Sequence, residues 1–467
     1  MKKKFILFFL IIVFLSTLII VVKNIKDNIN NKKNQISFLQ KNLSTKDLQL
    51  ENIYSKLKKN NINLENIIFS EGLIFNKKNN IELKIGKTDY LFDEFYSSDI
   101  IFAKHPEASS SAYLESDSNH LFLITGTGQI AYTNKSSING EKFKFMPIEN
   151  NIQQLIKYEE FYRSSAYGVK DVLIHKNNIY ISYIKEHYKD CFSTSIISGV
   201  LNTISINFSE FYSPKKCVDK NSKFYNDHEH DHFVPHQSGG RMIIFRDNII
   251  FSTGEFRYRI LAQDLNNDFG KILSINLENK DKKIISLGHR NPQGLYLDKK
   301  LNYLFSTEHG PSGGDEINLI DLNKDTTLNF GWPISSYGKH YFDYDAKNDV
   351  RYKLSPLYKS HKKYGFEEPI KYFNPSVGIS QIVGLSKNFN TSDYSSYLVG
   401  TMGTAKKLKE GMISLIFFQF DTIKKKIVDY ELIPIKSRVR DIIYLEEEDL
   451  VLMYLENSNS IGILRRK

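Results

Sequence analysis

Six times along the chain an apolar run, a polar turn and a second apolar run follow in the same order. The copies are AYLESDSNHLFLITGTG around Leu121, DVLIHKNNIYISYIKE around Tyr180, RMIIFRDNIIFSTGE around Phe251, GLYLDKKLNYLFSTEHG around Leu304, VGLSKNFNTSDYSSYLVGTMG around Leu398 and DIIYLEEEDLVLMYLEN around Met453. Alternating apolar residues on either side of an Asn, Asp or Ser turn describe a β-hairpin. Most copies run on into a further alternating strand, as at 271–277, 316–320, 413–420 and 461–465. One hairpin used six times, at spacings of roughly 55 to 95 residues, predicts an all-β chain folded as a six-bladed β-propeller. A two-sheet sandwich is the alternative, but it has no need of the same unit six times. The uneven spacing marks insertions, which in a propeller collect on the faces where ligands bind. The longest lies between Pro333 and Phe373.

The repeats begin only after about residue 68, and what precedes them has a different texture. Lys2, Lys3 and Lys4 lead into an uncharged apolar run from Phe5 to Val22. That is about the shortest stretch able to span a bilayer as a helix. No small-residue cleavage site follows, so residues 1–23 are expected to form an uncleaved signal anchor and not a removed signal peptide. Ile29, Ile36, Leu43, Leu50, Leu57 and Leu64 then recur every seven residues, with Ile25, Leu39, Ile53 and Ile67 at alternate d-type positions and Lys32, Lys46 and Asn60 at the others. This predicts a coiled-coil-like stalk over 24–67, and with it a homo-oligomer; a single amphipathic helix is the other reading. The propeller, 68–467, is expected on the extracytoplasmic, periplasmic side of a bacterial membrane.

Net charge is +10 in 467 residues, but the basic excess is spread along the chain. No basic helix, zinc finger or aromatic RNA-binding motif accompanies it, which argues against a nucleic-acid partner. Cys191 and Cys217 are the two cysteines, and in an exported chain they are expected to pair. They flank residues 195–208, which read as a hairpin.

The densest chemistry lies between Gly288 and Pro333. A His-Arg-Asn-Pro sequence opens it, and Gly313 and Gly314 stand directly before Asp315 and Glu316. Paired carboxylates beside a glycine turn suit a hard cation such as calcium, or equally an ordinary acidic surface turn. His228, His230 and His232 sit in a polar loop whose spacing matches no metal motif. His236, just before Gly239, Gly240 and the apolar start of a repeat, is placed as a general base at the propeller mouth would be. Arg438 and Arg440 hold the equivalent place before the last repeat. Two apart on a strand, their side chains point the same way, so both can meet one anion.

The string LGHRNPQGL, EHGPSGGDEINLI and NFGWP resembles the glucose/sorbosone dehydrogenase family, whose members are six-bladed propellers. HQSGGRMIIF, AQDLNNDFGKILSINL, YFNPSVGIS and SRVRDII match in the same order. The resemblance implies an enzyme that oxidises aldose sugars at C1, passing hydride to pyrroloquinoline quinone (PQQ) and then to an unidentified electron acceptor. It implies His236 as the base, Arg290 and Asn291 against the quinone oxygens, Arg438 and Arg440 on the carboxylates, and Ser376 beside the cofactor. The carbonyls of Gly310 and Pro311 would ligate the calcium that polarises the quinone. Asp315, Glu316 and the carbonyl of Phe330 resemble the ligands of a further calcium. The chain departs from the family pattern where a cofactor lysine is usual, which falls on Gly403, and where a quinone-facing glutamine is usual, near Ala166. Two alternatives keep the fold: a non-catalytic binding propeller, which those departures favour, and a calcium-dependent hydrolase.

Overall fold

The computed structural model describes Lys32 and residues 70–97, 111–221, 235, 237–340, 353–390, 392–403 and 411–467. The expected anchor and, but for Lys32, the expected stalk lie outside these residues, as does His236. Among the described residues no helix is long and apolar enough to cross a membrane. Ile68–Lys467 form one compact unit.

That unit is a propeller of six largely antiparallel blades in five sheets, the first and sixth blades sharing one ten-stranded sheet. The first blade runs Ala112–Ser116, His120–Thr125, Ile130–Asn134 and Lys142–Asn150. The innermost strands of the next five are Val169–His175, Gly239–Phe245, Pro292–Asp298, Ile379–Leu385 and Val439–Leu445. Each of the six packs on the next, and the last returns to the first, closing a ring. Every repeat read from the sequence supplies the first two strands of one blade. Middle strands such as Leu450–Leu455 are buried throughout because a neighbouring blade covers each face. Outer strands such as Lys426–Pro434 keep mostly exposed residues. The apolar clusters lie between blades. Between the fourth and fifth, Phe305 and Tyr397 stand 4.6 Å apart and Tyr397 stacks on Phe418 at 5.0 Å.

Two features were not legible in the repeats. The sixth blade takes its outer strand, Thr88–Tyr96, from the far end of the unit, paired with Ser460–Arg466 so that Phe92 faces Leu464. Leu73–Ile85 then pairs with both that strand and the outer strand of the first blade, joining the ring's two ends. Residues 195–208 also do not form the expected hairpin. After Cys191–Val200 the chain crosses over, Ser205–Ile206 adding in parallel to the first blade, before Ser209–Tyr212 returns to its own. The Cys191–Cys217 disulfide ties the base of this excursion.

Candidate active site

The site is built where the innermost strands begin. In blades two to six the register slips there, between Val169 and Asp171, Gly239 and Met242, Pro292 and Gly294, Ile379 and Ile382, and Val439 and Asp441. A bulge takes a residue out of the ladder and re-aims its side chain. Lys170, Gln293 and Arg440 are residues of this kind. One layer further in, Arg241 Nη1 bonds Asp171 at 2.8 Å and Asp441 at 2.6 Å, its Nε donates to the Gln293 carbonyl and its Nη2 to the Arg440 carbonyl. Asp441 accepts in turn from the Leu114 N–H. This buried guanidinium links four blades, and Asp441 extends the link to the first.

In the layer above it Arg438 and Arg440 do share an anion, and it is the protein's own. Glu456, fully buried, accepts from Arg438 Nε at 3.0 Å, Arg440 Nε at 2.6 Å and Ser111 Oγ at 2.7 Å. Burial pushes its carboxyl up, but Arg440 and Arg438 outweigh that and hold it below the usual range. Arg440 Nη1 reaches Gln293 Oε1 at 3.4 Å, and Gln293 Nε2 donates to Asn291 Oδ1 at 2.9 Å. Asn291 Oδ1 also receives the Gly239 N–H. The sixth, fourth and third blades therefore meet through three side chains.

The Arg290 guanidinium lies over Trp332, 5.4 Å from the ring centre, and Nη1 donates to the carbonyls of His309 at 3.0 Å and Gly310 at 2.7 Å. Gln237, its amide nitrogen facing Glu255, accepts from Arg290 Nη2 at 2.9 Å. The residue next to His236 is thus held on Arg290. Ser376 Oγ donates to the Pro311 carbonyl at 3.1 Å.

The expected cation ligands divide into two groups. The carbonyls of Gly310 and Pro311 each accept one donor and keep a second lone pair, so they fit a calcium ion. Asp315 does not. Its carboxylate accepts the N–H groups of Gly310, Val377, Gly378 and Ile379, pinning the turn to the fifth blade. One imidazole stands between Glu316 and the Phe330 carbonyl: His361 Nδ1 bonds the carbonyl at 2.8 Å, while Nε2 lies 3.3 Å from Glu316 Oε1, at ion-pair distance but without a hydrogen bond. These side chains line a cavity about large enough for a single water or ion. Burial opposes the charged imidazole, but Glu316 more than offsets it and raises His361. The second calcium set does not fit.

The two departures also have structural consequences. Gly403 has no room for a side chain, since a Cβ there would stand 2.3 Å from Met412 Cγ. The carbonyl of Ala166 accepts from Lys170 Nζ at 2.7 Å, and that of Ser165 at 2.9 Å. Lys170, Gln237, Glu456 and His361 were all missed in the sequence. Only Lys170 had a local signal, because Val169-Lys170-Asp171-Val172 repeats the pattern of Val439-Arg440-Asp441-Ile442.

The profile of the Glucose / Sorbosone dehydrogenase family matches residues 139–465. The chain belongs to that family. It is 31% identical over 156 residues to the Escherichia coli aldose sugar dehydrogenase YliI, covering 30% of this chain and 38% of that one. Quinoprotein glucose dehydrogenase B of Acinetobacter calcoaceticus is 33% identical over 204 residues, or 36% and 41% of the two chains. The chain thus spans about two fifths of the length of these curated relatives. The solved structure of the soluble Escherichia coli aldose sugar dehydrogenase in its apo form superposes with a TM-score of 0.56 at 19% identity, covering 77% of this chain and 97% of that one. This last likeness establishes the fold.

Proposed function

We propose that this protein is a PQQ-dependent aldose dehydrogenase oxidising sugars at C1. The observation that carries the reading is the buried Arg438–Glu456–Arg440 arrangement at the ring's mouth. One carboxylate holds both guanidiniums by Nε; Arg438 Nη1 donates to the Met402 carbonyl and Arg440 Nη1 to Gln293, which leaves Nη2 of each for an incoming polycarboxylate. Ser238 and Ser437, one residue from Gln237 and Arg438, have buried hydroxyls with no partner among the described residues, as a site awaiting a polar ligand would. The donor set fits the cofactor, which when bound supplies a hydride acceptor. Arg438 and Arg440 would hold its carboxylates, and Arg290 and Asn291 would hold its quinone oxygens. Calcium, held by the carbonyls of Gly310 and Pro311, would add polarisation there. His236 would take the proton from the sugar C1 hydroxyl.

The quinone in the name of one relative, that of Acinetobacter calcoaceticus, agrees with this reading, and the disulfide supports an exported chain. The test is reconstitution of purified protein with PQQ and calcium, followed by dye reduction with a panel of aldoses. His236→Ala is expected to abolish turnover while the quinone stays bound. Failure of the wild type to bind micromolar quinone overturns the proposal.

A further inference from the structure

Lys170 is nine-tenths buried and no step above uses it. It occupies in the second blade the bulge position that Arg440 occupies in the sixth, in the same local sequence, and on the same side of the Asp171–Arg241–Asp441 layer. Gly240, at φ +117°, makes room for it: a Cβ there would stand 2.3 Å from Lys170 Cβ. The amine donates to two carbonyls, Ser165 and Ala166, and meets no carboxylate within ion-pair distance among the described residues. An ammonium has three donors, so one remains. Burial, then the charge of Arg440, lower its pKa to about 7, with Glu456 opposing. Arg438, Arg440 and Lys170 therefore share Glu456 as their nearby anion, an excess of positive charge buried at the mouth.

We propose that Lys170 is the third cation of the cofactor site, binding a carboxylate of the quinone from the second blade and replacing the charge that Gly403 cannot carry. This rests on the functional reading above. Its chemical content is narrower: an anion-binding site completed by an amine that an arriving carboxylate holds in the charged form.

The experiment titrates wild type, Lys170→Met and Lys170→Arg with PQQ by fluorescence between pH 6 and pH 9, after melting curves establish that each is folded. Loss of one charged contact is expected to weaken Lys170→Met by about ten- to a hundredfold. Wild-type affinity should fall as pH rises above 7 and the amine loses its proton. Lys170→Arg should restore affinity and flatten the profile. Arg440 and Arg241 stay charged across this range, while Glu456, Asp171 and His236 are common to all three proteins, so the difference between profiles reports on residue 170. Equal affinity and equal pH dependence in wild type and Lys170→Met overturn the inference. If the wild type binds no quinone, the functional reading fails, and calorimetry with citrate tests the anion site alone. Equal citrate affinity in wild type and Lys170→Met then refutes it.

Discussion

Glu456→Gln isolates the residue that holds the arginine pair. The glutamine keeps one acceptor and loses the charge shared by Arg438, Arg440 and the Ser111 hydroxyl. Removing one partner of a buried ion pair costs about 3–5 kcal/mol. Here the arginine side chains retain 15% and 16% of their exposure, so solvent recovers part of the loss. About 2–3 kcal/mol is expected. An unfolding entropy of about 2.1 cal/mol/K per residue, over the unit Ile68–Lys467, turns this into a fall in Tm of about 3 °C. The carboxyl is held below its usual range, so its stabilisation is present above the unfolded carboxylate pKa and lost as pH falls through the lower folded value. The gap should thus be the same at pH 6 and pH 8. The variant's mouth is also more cationic, so added PQQ should raise its Tm at least as much as the wild type's. Scanning fluorimetry at both pH values, with and without quinone, reads all three quantities. A variant melting within about 1 °C of wild type would show that solvent screens the pair and that Glu456 does not organise the site.

Cys191→Ala opens a loop of 26 residues and is expected to cost about 3.5 kcal/mol, checked by denaturant unfolding under non-reducing conditions. A chain lacking residues 1–67 should stay folded and monomeric, whereas one lacking residues 1–97 exposes the edge of Ser460–Arg466 and should aggregate in size-exclusion chromatography. A chain starting near Lys23 should associate if the heptads form a stalk; equal mass for it and the shorter folded chain refutes that. Chelation of calcium should weaken PQQ binding, and Glu316→Gln should leave that requirement unchanged, because His361 already spans the second ligand set.

Hairpin periodicity determined the six blades, because strand alternation and turn chemistry are settled within a few residues. Alternation along a strand also led to the expectation that Arg438 and Arg440 meet one anion; they do, although Arg438 precedes the strand Val439–Leu445 and a bulge, not alternation, aims Arg440. Glu456 lies at the end of the same hairpin, but what else gathers around it was beyond that rule's reach. Glu456 bonds Ser111 across 345 residues, and the closing strand pairs Thr88–Tyr96 with Ser460–Arg466. Acidic residues at 315 and 316 look alike in sequence, yet one is consumed by four backbone N–H groups and the other faces an imidazole from a long insertion. The sequence by itself determined the repeat, the fold class and the residue types at the mouth. The tertiary structure alone decided which charges meet there, because ring closure brings together side chains whose separation along the chain carries no periodic signal.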